Sequence, residues 1–563
     1  MKTDAAEFPQ TDGVQLVFLA CSIWYALPCE NMHNDWELLD LALRWVVLVV
    51  YLALMIVIGV YYRKKSSSVN DFVLGGRGIG PWFTAFAYGT SYFSAVIFVG
   101  YAGKFGWSYG VSATWVGIGN ALIGSLMAWV ILGKRTRIMT KFIEAKTMPE
   151  FFEKRYNSPK LKTFSALIVF VFLIPYTASV YNGLSRLFEK GFGIPYKYCI
   201  IGMAVFTAIY VILGGYKATA LNDFIQGIIM LVGIVAVVFA VLGQNGGLSS
   251  SLDLMGDVKD AKGNTGTLNS LFGPDPINLI GVVILTSLGT WGLPQMVQKF
   301  YAIKDDKAIK TGTVVSTVFA VVVAGGCYFL GGFGKLFMDT DPKTGNPVEG
   351  FDAIVPHMME KLPTLLFGIV IVLVLSASMS TLSSLVLTSS SSLTIDLIKP
   401  RVKNMDEKKE LRVMRLFIAL FLVISVVLAI ITLEDPKTVI STLMSISWGA
   451  LAGAFLAPFM YGLFWKGVTK AAVVTSFICG VGITTVHMCL YTLKWGNLDL
   501  PMSLGGLSLA SPINAGAFAM LFGLVIVPVV SLITRQKPED KEHTEKVFEC
   551  YLSENAEKAV EKA

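Results

Sequence analysis

The sequence predicts an all-α polytopic membrane protein with about thirteen transmembrane helices and a core built as a 5+5 inverted repeat. Three observations carry that expectation. Of 563 residues, 54% are hydrophobic and only 15% are charged, whereas soluble domains carry roughly 25% charged residues. Thirteen apolar stretches approach the ~20 residues that a spanning helix needs. Two of these stretches, five spans apart, are interrupted in similar ways by glycine, proline and hydroxyl residues.

The stretches are 45–62, 82–103, 113–133, 163–185, 198–215, 224–248, 277–298, 311–334, 364–395, 416–432, 438–465, 471–491 and 511–534. The links between them leave no room for a separate soluble domain. The chain therefore divides into an extracellular N-terminal extension over 1–40, a transmembrane domain over 41–535 and a cytoplasmic tail over 536–563. Residues 14–28 are apolar but short for a span, and they follow an acidic start, unlike a signal peptide. Met32 opens the segment that runs into the first span, so the reading takes Met32 as the start and 1–31 as an addition or an interfacial piece.

The net charge of +7 sits largely in loops and requires no nucleic acid. Loop 134–162 holds nine Lys and Arg, and 396–415 holds seven. Such residues favour the cytoplasmic side. With an odd number of spans, the amino terminus is then outside and the carboxyl terminus inside. The tail is rich in Lys and Glu and reads as a solvated end, helical or disordered. The seven cysteines form no CxxC pair and the four histidines lie far apart, so neither a zinc pattern nor a disulfide framework is present. Gly75-Gly76-Arg77-Gly78 follows no strand and is a turn between spans, not a phosphate loop. No nucleophile constellation exists. Enzymatic chemistry, ATP-driven pumping and a bound cofactor are left without residues.

The interrupted second span contains Tyr88-Gly89-Thr90-Ser91. The seventh contains Ser287-Leu288-Gly289-Thr290-Trp291-Gly292-Leu293-Pro294. An odd offset gives the two opposite orientations, as an inverted repeat requires. Irregular backbone at membrane depth is tolerated where it lines a cavity or is buried in protein, and paired broken spans point to the binding site of a transporter.

The ninth span, 364–395, carries no charge but fills with hydroxyls: Ser376, Ser378, Ser380, Thr381, Ser383 and Ser384. Lipid gives no reason for them. A small cation that exchanges its water for oxygen ligands does. Free carbonyls near Thr90 and Phe93 would meet the side chains of Ser380 and Thr381. Such a site suits a hard monovalent ion, because a divalent one recruits carboxylates. The competing reading is packing by small residues, or hydroxyls bonded to their own helix.

Asp223, beside Asn222, reads equally as a helix-start cap and as a group on an ion path. Tyr92, Tyr176 and Trp291 are either core or lipid-facing aromatics or walls of a solute cavity. Thr290 lies within the second break, and Gln295 offers a polar amide just after Pro294. Lys299, Lys304 and Lys307 read as solvated residues at the cytoplasmic end.

At these residues the chain resembles the sodium/solute symporter family, over roughly residues 40 to 535. The resemblance rests on Phe72-Val73-Leu74-Gly75-Gly76-Arg77-Gly78, on Gly214-Gly215-Tyr216-Lys217-Ala218 followed by Leu221-Asn222-Asp223-Phe224-Ile225-Gln226, and above all on Ala377-Ser378-Met379-Ser380-Thr381-Leu382-Ser383. It implies a LeuT-like fold and sodium-coupled symport of a small organic solute by alternating access, in a bacterial-type plasma membrane. It implies a sodium site of backbone carbonyls at Thr90, Phe93 and Ala377 with hydroxyls at Ser380 and Thr381, and places Asp223 near the inner sodium exit. The partners it implies are a sodium ion, the solute and membrane lipid.

The departures bear on the solute. The family's proline branch has an aspartate where this chain has Tyr92, and Trp and Tyr where it has Thr286 and Thr290, but Tyr176 is retained. The pantothenate branch shares Gly292-Leu293-Pro294 and is similar around Gly89–Tyr92. The expected solute is an amino acid such as proline, pantothenate or another monocarboxylate. The alternatives are a sugar symporter of the same family and a sodium-independent facilitator or channel. Proton coupling ranks lower, because the sequence offers no obvious buried mid-span carboxylate.

Overall fold

A computed structural model describes residues 35–62, 68–360, 362–402, 404–433, 440–495, 498 and 500–552. The proposed start at Met32, the extension up to residue 34 and residues 553–563 lie outside the described residues. Among the described residues, eleven helices are long and apolar enough to cross a membrane.

The helices that frame the site and the basic end are α1 (Asp35–Tyr62), α2 (Pro81–Tyr92), α3 (Ala102–Tyr109), α4 (Met148–Tyr156), α5 (Pro159–Phe192), α6 (Tyr196–Gly243), α7 (Pro276–Val283), α8 (Pro294–Tyr301), α9 (Asp306–Gly331), α10 (Thr364–Ser391), α11 (Glu407–Leu433), α12 (Ile440–Phe464), α13 (Lys470–His487), α14 (Pro512–Ile533) and α15 (Pro538–Phe548). The strands Ser503–Leu504 and Leu507–Ser508 form a short antiparallel hairpin between α13 and α14.

Two helical stretches, Val96–Phe142 with 47 residues and Tyr196–Gly243 with 48, would each reach about 70 Å at ~1.5 Å per residue. That is more than twice the ~30 Å hydrocarbon core. Both are broken by a glycine in a backbone conformation that side chains resist: Gly110 at φ 62° and Gly215 at φ 58°. The expected link between 215 and 224 is therefore absent. One residue makes the turn, and α6 continues directly past it.

Burial orders the helices. The most apolar window of α12 is 94% buried and that of the α10 stretch is 83% buried, against 28% for α1 and α13. The hydroxyl-rich helix is therefore central, and its polar groups face protein rather than lipid. Glycines permit the close crossings that hold membrane helices together without a hydrophobic drive. A Cβ on Gly106 of α3 would overlap the carbonyl of Gly331 on α9, and one on Gly480 of α13 would overlap the backbone of α12 at Gly453 and Ala454.

The basic end is tied down by ion pairs. Asp396, just beyond α10, accepts from Thr147 Oγ1 at 2.8 Å. Lys162 Nζ lies 2.8 Å from Glu153, 3.7 Å from Asp396 and 3.8 Å from Glu150. The tail departs from its solvated reading over its described part. In α15, Thr544, Val547 and Phe548 are buried, and Arg155 of α4 donates to Thr544 Oγ1 at 3.2 Å. Val547 and Phe548 supply the apolar stripe that the Lys and Glu content obscures.

Candidate ion and solute site

Pro81 starts α2, and the helix holds through Tyr92. The break falls at Phe93 (φ −91°, ψ 128°) and Ser94, slightly later than the Tyr88–Ser91 segment singled out from sequence. The second break has the same form: a short 3-10 turn over Gly289–Trp291, then Leu293 at φ −80°, ψ 121°, then Pro294 opening α8. Each break strands backbone groups that require partners in a buried setting.

The ninth span supplies those partners at the first break. Ser378 Oγ accepts the Ala95 amide at 3.2 Å. Thr381 Oγ1 lies 2.9 Å from Phe93 O, 3.2 Å from Ala377 O and 3.3 Å from Ser91 O. A hydroxyl has one proton to give, so it cannot satisfy three carbonyls. The surplus of oxygen lone pairs is what a hard cation takes up. Phe93, Ala377 and Thr381 thus meet as expected. On α2, however, the carbonyl nearest Thr381 after Phe93 belongs to Ser91, and Thr90 contributes its hydroxyl, 2.8 Å from Ser380 Oγ.

Ser380 extends the cluster toward Asp223, with its Oγ 2.6 Å from Asp223 Oδ1. Asp223 is fully buried and lies eight residues beyond the Gly215 turn, inside continuous helix. The capping reading therefore fails, since no helix starts there, and a buried carboxylate does sit within a spanning helix. Lys299 is a second correction. It is only 3% exposed, donates to Ser384 Oγ at 3.0 Å and lies 3.8 Å from Asp223 Oδ2, with Tyr216 beneath its ammonium at 4.9 Å. It is drawn inward because α8 starts at the second break and its whole length is buried. Lys304 and Lys307 are exposed as expected. Ser384 Oγ is in turn 2.8 Å from Ser91 Oγ, which closes the polar ring.

The expected solute residues divide. Tyr92 and Tyr176 converge on Trp448 of α12, with ring centroids 5.9 and 5.8 Å away. The Tyr92 and Tyr176 hydroxyls, Trp448 Nε1, Tyr328 Oη and Asn120 Nδ2 are buried without a hydrogen bond of good geometry, although Tyr176 faces Trp448 and Ser94, and Tyr328 faces Asn120. Tyr92 and Asn120 line a small cleft with Tyr88, Gly124 and Thr290. Thr290 donates within that wall, its Oγ1 2.9 Å from Ser287 O and 3.1 Å from Gly124 O. Trp291 Nε1 donates to Ile123 O at 2.9 Å. Gln295 is 1% exposed with both amide atoms unpartnered, but it does not line the cleft. Trp448, Tyr328 and Asn120 escaped the sequence reading, because an aromatic or an amide within an apolar run carries no local sign of what it faces.

The glycine-rich segment ahead of α2 is structural. Gly75 and Gly76 take positive φ, and Arg77 donates to Ala145 O at 2.6 Å and Thr140 O at 3.2 Å. Burial pulls the Arg77 guanidinium down to about 10.

Two broken helices, with an oxygen-rich cluster at one break and a polar cleft between them, define a secondary transporter. The model of the Sodium:solute symporter family matches residues 72–480, and the chain belongs to that family. The sodium/proline symporter of Staphylococcus aureus strain JH9 is 31% identical over 469 residues, covering 81% of this chain and 87% of that protein. The sodium/proline symporter of strain NCTC 8325 matches to the same extent. The outward-open, substrate-bound structure of a Na+-coupled sialic acid symporter superposes with a TM-score of 0.65 at 17% identity, over 87% of this chain and 98% of that one. This protein is accordingly a multi-pass, sodium-coupled secondary transporter of a small organic solute with a LeuT-like fold, and not an enzyme.

Proposed function

We propose that the protein imports a small zwitterion or monocarboxylate, with proline as the leading solute, by sodium symport in a bacterial-type plasma membrane. The observation that carries this reading is the Thr381 hydroxyl set among the carbonyls of Phe93, Ala377 and Ser91, at 2.9, 3.2 and 3.3 Å. Sodium takes those oxygens together with Ser380 and Thr90, and Asp223 marks its way to the inside.

The orphaned groups of the cleft support the solute class. Tyr92 and Asn120 line the cleft with a hydroxyl and an N–H that make no close hydrogen bond, Trp448 packs against Tyr92 and Tyr176 against Trp448, and no charged side chain lines the cleft. Donors without a cation suit the oxygens of a carboxylate. Proline is favoured by the sodium/proline symporters among the relatives and by the retention of Tyr176. Thr290 belongs to the cleft wall, and Trp291 and Gln295 act behind it, shaping that wall.

The mechanism follows from which helices the ion joins. Sodium bound between α2 and α10 fixes the first broken helix, which completes the solute site toward α8. The loaded helix bundle then rocks inward within a core of two inverted five-helix repeats. Splitting the stretches at Gly110 and Gly215 brings eleven helices to thirteen spans, with the amino terminus outside and the carboxyl terminus inside. One charge crossing ~100 mV contributes ~2.3 kcal/mol, and a roughly tenfold sodium gradient adds ~1.4 kcal/mol. Together these concentrate a neutral solute roughly several-hundredfold.

The test is uptake by proteoliposomes under an inward sodium gradient, across proline, pantothenate, other amino acids, short carboxylates and sugars. Accumulation of one zwitterion or monocarboxylate that collapses in choline buffer is expected. Selective accumulation of a sugar, or uptake indifferent to sodium, overturns the reading.

A further inference from the structure

Lys299 and Asp223 are opposite charges sealed in the same pocket, 3% and 0% exposed. They belong to different helices, α8 after the second break and α6 after the Gly215 turn. Their separation of 3.8 Å is an ion pair but not a hydrogen bond. Asp223 Oδ2 has no hydrogen-bond donor at all. Its Oδ1 takes Ser380 at 2.6 Å, and Lys299 spends a proton on Ser384 at 3.0 Å. Ser384 reaches Ser91 at 2.8 Å, and Ser380 reaches Thr90 at 2.8 Å. The pair therefore abuts the proposed sodium cluster through two hydroxyl bridges, one from each charge.

A buried carboxylate without a positive partner is costly, and a close pair with good hydrogen bonds offsets that cost only in part. Here the geometry is half-made. The ammonium stands near enough to neutralise Asp223, yet one carboxylate oxygen is left open to another cation. Two positive charges beside one carboxylate repel, so sodium and Lys299 compete for it.

We infer that Lys299 is a tethered surrogate cation, whose ammonium balances Asp223 in the ion-free carrier and opposes sodium in the loaded one. Lys299 is thus a positioning residue for ion release. It also links the ion cluster to α8, the half-helix on the solute side, so sodium occupancy is felt at the second break. This inference rests on the reading of the Thr381 cluster as a sodium site.

The experiment is a sodium titration of the full-length protein in lipid nanodiscs, read as the rise in melting temperature in NaCl over choline chloride. Lys299→Met removes the competing charge, and the half-saturating sodium concentration falls at least tenfold. Lys299→Arg keeps the charge and stays within about threefold of the wild type. Adding Asp223→Asn to Lys299→Met removes both charges and reverses most of the tightening. A merely structural role would lower the melting temperature in choline without tightening sodium. Where Lys299→Met does not fold, Lys299→Gln carries the same two outcomes. An unchanged or weaker sodium response in the neutral variant overturns the inference while leaving the ion site standing. No sodium response in the wild type takes down the ion site, and this inference with it.

Discussion

Thr381 Oγ1 stands 2.9 Å from the carbonyl oxygen of Phe93, although 288 residues separate the two in the chain. That contact joins the hydroxyl-rich helix to the first broken helix at the residue where α2 loses its helical backbone. Everything proposed for the ion is built on it.

The aromatic cleft can be tested by removing single hydroxyls. Tyr92→Phe and Tyr176→Phe keep the rings against Trp448 but delete hydroxyls that make no hydrogen bond of good geometry in the protein. A hydrogen bond contributes about 0.5–1.5 kcal/mol net. Each variant is expected to raise the half-saturating solute concentration by about two- to tenfold, with the sodium response of the melting temperature retained. Equal solute dependence in both variants and the wild type would remove these hydroxyls from the site.

Asp352, in the short turn before the segment 354–360, gives a pH signature outside the spans. Burial raises its carboxyl from 3.8 to about 6, against the pull of the Ile440 amide at 3.2 Å and of the Lys104 and Arg186 charges. Between those values the folded protein holds a proton that the unfolded chain has released. The contribution of this group is thus full below pH 3.8 and is lost as pH rises through about 6. Melting curves are expected to show the wild type losing stability relative to Asp352→Asn across that window, by up to about 1.4 kcal/mol per pH unit, and holding a constant offset above it. An offset that does not change with pH would contradict this.

Helix crossings should be intolerant of the smallest side chain. Gly106→Ala places a methyl against the carbonyl of Gly331, so α3 and α9 must separate. Overpacking of this kind costs about 1–3 kcal/mol, and a lower melting temperature in detergent is expected. By contrast, Gly202→Ala meets nothing within 4 Å and serves as the control.

Much of this arrangement was legible in the chain, and the reasons are local. A hydroxyl-rich run without a charge is so out of place in lipid that Ser380 and Thr381 announce a polar partner, and Pro294 marks where the second broken helix restarts. What was not legible depends on distant packing. Lys299 looks like the basic end of a span, and only the inward course of α8 buries it. Asp223 next to Asn222 looks like a cap, because nothing nearby signals that Gly215 turns the chain in one residue and lets α6 run on. Trp448, Tyr328 and Asn120 lie in apolar stretches, where type alone does not separate a cavity wall from core.

The tail makes a fourth test. Arg155 donates to Gly462 O at 2.8 Å, Trp465 O at 3.1 Å and Thr544 Oγ1 at 3.2 Å, and it stacks 4.8 Å from the Phe548 ring centroid. Lysine cannot reproduce that planar fork. Arg155→Lys is expected to destabilise the protein by on the order of 2–4 kcal/mol and to expose α15 to protease. Undiminished protection of α15 in that variant would show that the tail is held otherwise.

Sodium-dependent uptake by the Ser380→Ala, Thr381→Ala double variant bears most directly on the central claim. Reconstituted protein at matched abundance is expected to require at least tenfold more sodium for half-maximal uptake, with accumulation still lost in choline. A double variant whose uptake follows sodium as the wild type does would contradict the placement of the ion between α2 and α10.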